Sequence, residues 1–259
     1  MIPKVIHYCW FGGTPKPKSV LRCISSWKKH CPDFEIREWS EKDFDVGQNE
    51  YTQQAYSVKA WGFVPDYIRL WIVYNYGGIY LDTDVQVLKD LTPLLANKAY
   101  AGFEDNEFVN FGQGFGAEKG NPVIETHMRM YDSLCFINED GSLNKTASPR
   151  YTTKCLREWG LQNDTGGIQQ LAHITVYPKD YFCPKNFYSG LVNVTDNTYS
   201  IHQFDASWYD ETAQIAKKNR WKEEKMKAVK EYWRYLPNRI LLKLVGETRY
   251  EKMKQVFKK

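Results

Sequence analysis

Tyr76-Gly77-Gly78-Ile79-Tyr80-Leu81-Asp82-Thr83-Asp84-Val85-Gln86-Val87 reads as a helix stop followed at once by a short strand. Gly77 and Gly78 can take the positive-φ backbone that ends a helix, and the β-branched and aromatic run from Ile79 has the period of a strand. Side chains alternate faces along a strand, so Tyr80, Asp82 and Asp84 are expected on one face and Ile79, Leu81, Thr83 and Val85 on the other. Two neighbouring carboxylates repel each other and are stable together mainly with a cation beside them. Hard divalent ions with oxygen ligands fit, and such ions usually keep waters and substrate phosphates in their shell. A solvated turn after an edge strand explains most Asp-x-Asp pairs. Here the pair is entered through Gly-Gly from a long apolar helix and has an aromatic on its own face, which favours a platform for a metal and a phosphorylated ligand.

Upstream, Glu50 to Trp61 reads as a polar-faced helix and Phe63 to Tyr76 has the spacing of a buried one. Asp66 and Arg69 lie three apart and share a face, either as a surface ion pair or as groups for sugar hydroxyls and phosphate near the same site. Pro3 to Phe11 is an expected first strand, Lys18 to His30 a helix with Val20, Leu21, Ile24 and Trp27 on one side, and Phe34 to Trp39 a second strand. That is a βαβ beginning, and ligands bind at the carboxyl edge of such sheets. Trp10 stands at that edge, where it can stack on a nucleobase or cap the core.

Downstream, Leu91 to Asn97 is expected as a short helix, Ala99 to Phe103 as a strand and Pro122 to Ile137 as an amphipathic helix. The glycines of Phe108 to Ala117 let the backbone approach a ligand closely, with Asn110 and Gln113 as the polar candidates to contact it. His202 lies in a further strand-like run. A lone His is usually structural, but beside two carboxylates it becomes a metal ligand, and mixed oxygen and nitrogen ligation favours Mn²⁺ while allowing Mg²⁺.

The chain has 259 residues, 42% hydrophobic and 25% charged, long enough for one large domain or for a domain with a C-terminal extension. Six cysteines show no metal-type spacing and read as free thiols in a reducing compartment. Neither a signal-peptide core nor a bilayer-spanning run is apparent. The net charge of +4 is uneven, since Gln214 to Lys259 holds fifteen Lys or Arg against five Glu. This tail is expected to be helical and broken at Pro237. Ile240, Leu241, Leu242, Leu244 and Val245 form an apolar patch among its basic residues, as in a helix that lies on an anionic membrane. No base-reading module accompanies the charge, which argues against a nucleic-acid partner.

Ile2-Pro-Lys-Val-Ile-His-Tyr-Cys-Trp-Phe-Gly-Gly13, Phe63-Val-Pro-Asp-Tyr-Ile-Arg-Leu70, the Asp82-Thr-Asp84 stretch, Gly114-Phe-Gly-Ala-Glu-Lys-Gly-Asn-Pro122 and Ser200-Ile-His-Gln-Phe-Asp-Ala-Ser-Trp208 occur in this order. Together they resemble glycosyltransferase family 32, the sugar-binding-region transferases with a DXD motif, related to the glucosylating toxins. The resemblance covers about the first 210 residues. It implies an α/β GT-A fold, Rossmann-like, over residues 1–210, a basic helical extension over 211–259, and transfer of a sugar from a nucleotide sugar, UDP-linked, with retention. Trp10 would stack on the base, and Asp66 and Arg69 would hold sugar and phosphate. Tyr80 and Asp82 would contact ribose or donor, Asp84 would bind the metal, and His202, Ser207 and Trp208 would close the metal and diphosphate from the other side. The helix motif often reads Ser-Asp in the family, where this chain has Pro65-Asp66.

The expected protein is a metal-dependent transferase, cytoplasmic and peripheral on the inner face of the membrane, extending a lipid-linked or capsular glycan. No side chain is an obvious base, and in retaining enzymes of this fold the leaving phosphate takes the acceptor proton. The rival readings are a phosphatase of the haloacid-dehalogenase type, which uses an Asp-x-Asp nucleophile on its first strand, and a non-catalytic glycan-binding protein.

Overall fold

The structure, a computed structural model, describes residues 1–205 and 211–245, the last with side chains to residue 236 apart from residues 211 and 235. In chain order the elements are β1 (Val5–Cys9), α1 (Lys18–His30), β2 (Glu35–Trp39), α2 (Glu50–Ser57), α3 (Pro65–Tyr76), β3 (Gly78–Tyr80), β4 (Val85–Val87) and β5 (Ala99–Gly102). They continue with β6 (Phe115–Ala117), α4 (Pro122–Tyr131), α5 (Ser148–Glu158), β7 (Gln169–Gln170), β8 (Thr175–Tyr177), β9 (Ser200–His202) and α6 (Glu211–Val245).

Seven strands form one sheet in the order β2-β1-β3-β6-β5-β8-β7. β1 pairs in parallel with both β2 and β3, β6 runs antiparallel between β3 and β5, and β8 is parallel to β5. The carboxyl ends of β1, β3, β5 and β8 and the amino end of β6 therefore meet at one edge. The chain passes from β2 across β1 to β3, so this edge holds a topological switch point, where open α/β sheets bind ligands. This is the α/β GT-A arrangement that the resemblance implied, with α6 as the C-terminal extension.

Hydrophobic residues form a cluster on each face of the sheet. Ile6, Tyr8, Ile79 and Leu81 join Val20 and Trp27 of α1 on one side, while Cys9 and Tyr80 join Ile68, Ile72 and Val73 of α3 on the other. α3 begins at Pro65, whose missing N–H costs nothing at a first helical position. It stops at Gly77, and Gly77 and Gly78 both have positive φ. A Cβ at Gly78 would lie 2.9 Å from the Val5 carbonyl and 2.9 Å from the His7 ring, so glycine lets β3 close on β1. That ring is itself fixed. Trp39 Nε1–H donates to His7 Nδ1 at 3.1 Å, and His7 Nε2 contacts the Gly77 carbonyl at 2.9 Å.

One expectation changes in kind. β3 ends at Tyr80, and Asp82 and Asp84 lie in a turn closed by Val85 N–H to the Asp82 carbonyl at 3.0 Å. β4 then leaves the main sheet and pairs antiparallel with β9 in a two-stranded ladder. α1 holds its start, with Trp27 Nε1–H donating to the Val85 carbonyl at 2.7 Å and the Ser26 hydroxyl accepting from Val87 N–H at 3.0 Å. The expected helix at residues 91–97 is a 3-10 turn over Thr92–Ala96, and α2 and α4 are shorter than their sequence periods. α6 runs through Pro237 rather than breaking there, because one proline removes a single internal hydrogen bond and can be absorbed as a bend.

The described contacts divide the chain into two compact units, the first holding both sheets and the second pairing Asn186–Leu191 with the helix that starts at Glu211. Within the second, Trp221 Nε1–H donates to the Phe187 carbonyl at 2.9 Å and Arg220 Nε–H to the Tyr188 carbonyl at 2.8 Å.

Candidate functional site: an acidic cluster at the sheet edge

The Asp82–Val85 turn brings the two carboxylates together, and the β4–β9 register sets His202 opposite Val85. Asp82, Asp84 and His202 each offer a ligand atom, all within 4.8 Å of one another. His202 Nε2 lies 3.4 Å from Asp84 Oδ1, and Asp84 Oδ2 accepts from Asp205 N–H at 2.9 Å. Burial works to raise the Asp84 carboxyl, but the facing imidazole outweighs it and holds Asp84 below the usual range. Burial likewise opposes charge on His202, and Asp84 reverses this, holding the imidazolium well above its ordinary pKa. Burial and the neighbouring Asp84 push Asp82 up, against the pull of Arg69.

α3 supplies the second half. Arg69 Nη2 lies 2.9 Å from Asp66 Oδ1 and 3.4 Å from Asp82 Oδ1, and both α3 side chains are only 5% exposed, which removes the surface-ion-pair reading. Burial pushes the Asp66 carboxyl up to about 6, with Arg69 pulling it down and Asp82 adding to the rise. Burial disfavours charge on Arg69, and the two carboxylates more than restore it.

Tyr80 is buried beneath this group, with the Arg69 guanidinium 5.4 Å from its ring centre. Trp10 is part-exposed just beyond β1, its N–H donating to the Thr14 carbonyl at 2.7 Å and Lys16 Nζ 5.5 Å from its ring. Asn110 lies in the site wall, where its Oδ1 accepts from Gly112 N–H at 2.6 Å. Gln113 is fully buried and ties down the end of β5 by donating to the Gly102 and Phe103 carbonyls at 2.8 and 3.1 Å. Ser207 and Trp208 lie outside the described residues.

Sequence reasoning passed over Glu104, a half-buried carboxylate just past β5 that accepts a hydrogen bond from Asn110 Nδ2. Its signal was a position shortly after a strand at the carboxyl edge, but that signal needs the direction of β5, which pairing across the sheet decides. Counting Asp66, Asp82, Asp84 and Glu104 against Arg69 and His202, the cluster carries more acidic than basic groups. Two carboxylates and an imidazole at this spacing suit a divalent cation of the Mn²⁺ or Mg²⁺ kind.

Residues 17–101 match the profile described as the glycosyltransferase sugar-binding region containing a DXD motif. The chain carries a DXD-type glycosyltransferase region. A curated relative, inositol phosphoceramide mannosyltransferase 3 of Schizosaccharomyces pombe, is 30% identical over 143 residues, which are 52% of this chain and 38% of that protein. The matched stretch thus spans well under half of that relative. An uncharacterized glycosyltransferase of Acanthamoeba polyphaga mimivirus is 24% identical over 198 residues, covering 72% of this chain and 77% of that one. Among solved structures, a glycosyltransferase involved in glycosylating the major capsid of PBCV-1 aligns over 86% of this chain and all (100%) of its own, at 10% identity and a TM-score of 0.48. The PaToxG glycosyltransferase aligns over 61% of this chain and 69% of its own, at 20% identity and a TM-score of 0.49. Asp82-Thr83-Asp84 lies within the matched residues, and its two carboxylates are among the three residues that converge in the acidic cluster.

Proposed function

We propose that the protein is a metal-dependent glycosyltransferase that moves a sugar, with retention, from a UDP-sugar to an acceptor hydroxyl. The convergence of Asp82, Asp84 and His202 beside the buried Arg69 at the switch-point edge carries this reading. A cation held by Asp82, Asp84 and His202 would neutralise the diphosphate as it leaves. The chain's own residues do the rest. Arg69 presents a fixed cationic fork whose place is set by Asp66 and Asp82, and Asp66 offers a buried oxygen to sugar hydroxyls. Trp10 offers a ring face to the base. With Asp82 engaged by Arg69, no observation favours a free nucleophile of the phosphatase type.

The acceptor on this reading is a lipid-linked or surface glycan, and the enzyme works at the inner membrane face. The lipid named in the fission-yeast relative supports a membrane-borne acceptor. So does α6, where Met226, Val229 and Trp233 are exposed three and four apart among Lys222, Lys225, Lys227, Lys230 and Arg234. No helix among the described residues is long and apolar enough to cross a bilayer. The side chains of residues 240–245 lie outside the described ones.

Incubation with UDP-glucose, UDP-galactose, UDP-N-acetylglucosamine and GDP-mannose tests the activity. Release of UDP that requires Mn²⁺ and stops with EDTA is expected; turnover of none of the four, or turnover indifferent to metal, refutes the reading. Sedimentation with anionic vesicles at low salt and release at high salt tests the membrane arm.

A further inference from the structure

Trp10 continues the pairing of β1 with β2, its backbone N–H donating to the Trp39 carbonyl at 2.8 Å. Side chains alternate along a strand, so Trp10 shares the α1 face of the sheet with Tyr8 and, across the register, with Glu38. The loop of residues 12–17 folds back over this group. Gly12 and Gly13 turn it with φ of 85° and 64°, and Gly12 N–H donates to Glu41 Oε1 at 2.5 Å. The Thr14 carbonyl accepts from Trp10 Nε1–H at 2.7 Å. Lys16, stiffened by Pro15 and Pro17 on either side, brings its Nζ to 2.8 Å from Glu38 Oε1, 6.0 Å from the Tyr8 ring centre and 5.5 Å from that of Trp10. The second Glu38 oxygen accepts from the Tyr8 hydroxyl. Both carboxylate oxygens are thus engaged, and the Lys16 side chain is only 21% exposed, unlike a lysine left to solvent.

We propose that Lys16 is a positioning residue for the nucleotide: its ammonium lies over one face of Trp10 and holds the indole so that the opposite face receives the base. The inference rests on the glycosyltransferase reading and on Trp10 as the surface that the base meets. A partly exposed ion pair adds little to folding stability, so what the Lys16–Glu38 pair supplies is orientation. The indole is fixed at its N–H by Thr14 and across its face by a cation, at a separation where such contacts attract. A ring already held in its binding orientation loses less freedom when a flat base stacks on it, and more of the stacking energy then appears as affinity. Glu38 serves to hold the ammonium in place, since Lys16 and Tyr8 take one of its oxygens each. Lys16 therefore acts on the base through Trp10 and leaves the phosphates to Arg69 and the metal.

Calorimetric titration of the full chain in Mn²⁺ with UDP and with inorganic pyrophosphate separates base binding from phosphate binding. Lys16→Met keeps the length of the side chain and removes its charge. Its UDP affinity is expected to fall roughly three- to tenfold, the range for losing a cation on an aromatic face, while pyrophosphate affinity stays within about twofold and shows that the site is folded. Lys16→Arg, which keeps a cation able to lie over the ring, is expected to hold UDP affinity within about twofold. Trp10→Ala is expected to lower UDP affinity by roughly 5- to 100-fold, the range for losing a stacked base, and Lys16→Met to add nothing further in that background. UDP affinity unchanged in Lys16→Met overturns the proposal, as does an equal loss for UDP and pyrophosphate, which would make Lys16 a phosphate contact. A Lys16→Met loss that persists in full beside Trp10→Ala overturns it too. Trp10→Ala with unchanged UDP affinity overturns Trp10 as the base platform, and a wild-type protein that binds no UDP in Mn²⁺ overturns the glycosyltransferase reading, both results distinct from the others.

Discussion

Gly112→Ala is the most localised test of the site. A Cβ built on Gly112 would lie 2.2 Å from Asp82 Oδ2, 2.9 Å from Arg69 Nη1 and 3.0 Å from Asn110 Oδ1. Ordinary contact begins near 3.4 Å, so the methyl forces the Asp82 carboxylate back by about 1 Å and crowds the guanidinium and the Asn110 amide. The Gly112 backbone needs no left-handed conformation, so the chain itself accepts alanine there. A displacement of about 1 Å in a positioned catalytic group costs on the order of 10²-fold in rate. Part of the Arg69–Asp82 interaction also goes, which costs up to about 1–3 kcal/mol of folding stability as a charge-assisted hydrogen bond. The assay is Mn²⁺-dependent UDP release measured beside urea denaturation. Wild-type turnover in Gly112→Ala would refute the view that the close approach of Gly112 sets Asp82 in place.

Asp84→Ala is expected to leave the circular dichroism spectrum unchanged while abolishing Mn²⁺ binding and donor turnover; retained metal-dependent turnover would remove Asp84 from the site. Arg69→Lys exchanges a fork that reaches Asp66 and Asp82 for a point charge, and UDP affinity is expected to fall by roughly 1–3 kcal/mol; unchanged UDP binding by calorimetry counts against a phosphate role. His7 is held neutral by burial, its pKa lowered from 6.5 to about 4, and protonation of its Nδ1 would meet the Trp39 N–H. The folded chain therefore binds fewer protons than the unfolded one between these values, so this stability is present above pH 6.5 and is lost as the pH falls toward 4. From pH 7.5 to 5 the loss from His7 is about 2 kcal/mol. Urea titrations of wild type and His7→Gln should differ in pH dependence by that amount, and identical pH slopes would show that His7 is not the proton-sensitive group.

Elements governed by local chemistry were legible in the sequence. α1 has the expected bounds, Lys18–His30, and the Gly77-Gly78 stop ends α3 where periodicity placed it. The candidate site was legible as composition, in that Asp66, Arg69, Asp82, Asp84 and His202 do come together. Its geometry was not. Strand alternation seemed to put Asp82 and Asp84 on one face, whereas a turn does so, because β4 pairs with β9 and a partner that distant leaves no mark on residues 82–87. Glu104 was hidden for the same kind of reason, and the buried amide of Gln113 shows the converse, a polar residue in a Gly-rich segment used to brace β5. α2 ends earlier than its periodicity because the chain turns at Lys59, a non-glycine residue with φ of 58°.

The β4–β9 ladder also makes the cluster a clasp. Asp84 receives a hydrogen bond from Asp205, 121 positions further along the chain, and faces His202 on the neighbouring strand. A cation gripping Asp84 and His202 would close a loop of nearly that size, and joining points so far apart removes much of the freedom of the unfolded chain. Such an ion would bind only once β9 has arrived, so in a chain emerging from the ribosome the site would complete well after β4 is made. Occupancy then opposes unfolding by mass action, in proportion to the logarithm of the free ion concentration. The ion that serves the chemistry would thereby also tie the β4 turn to β9 within the sheet-bearing unit.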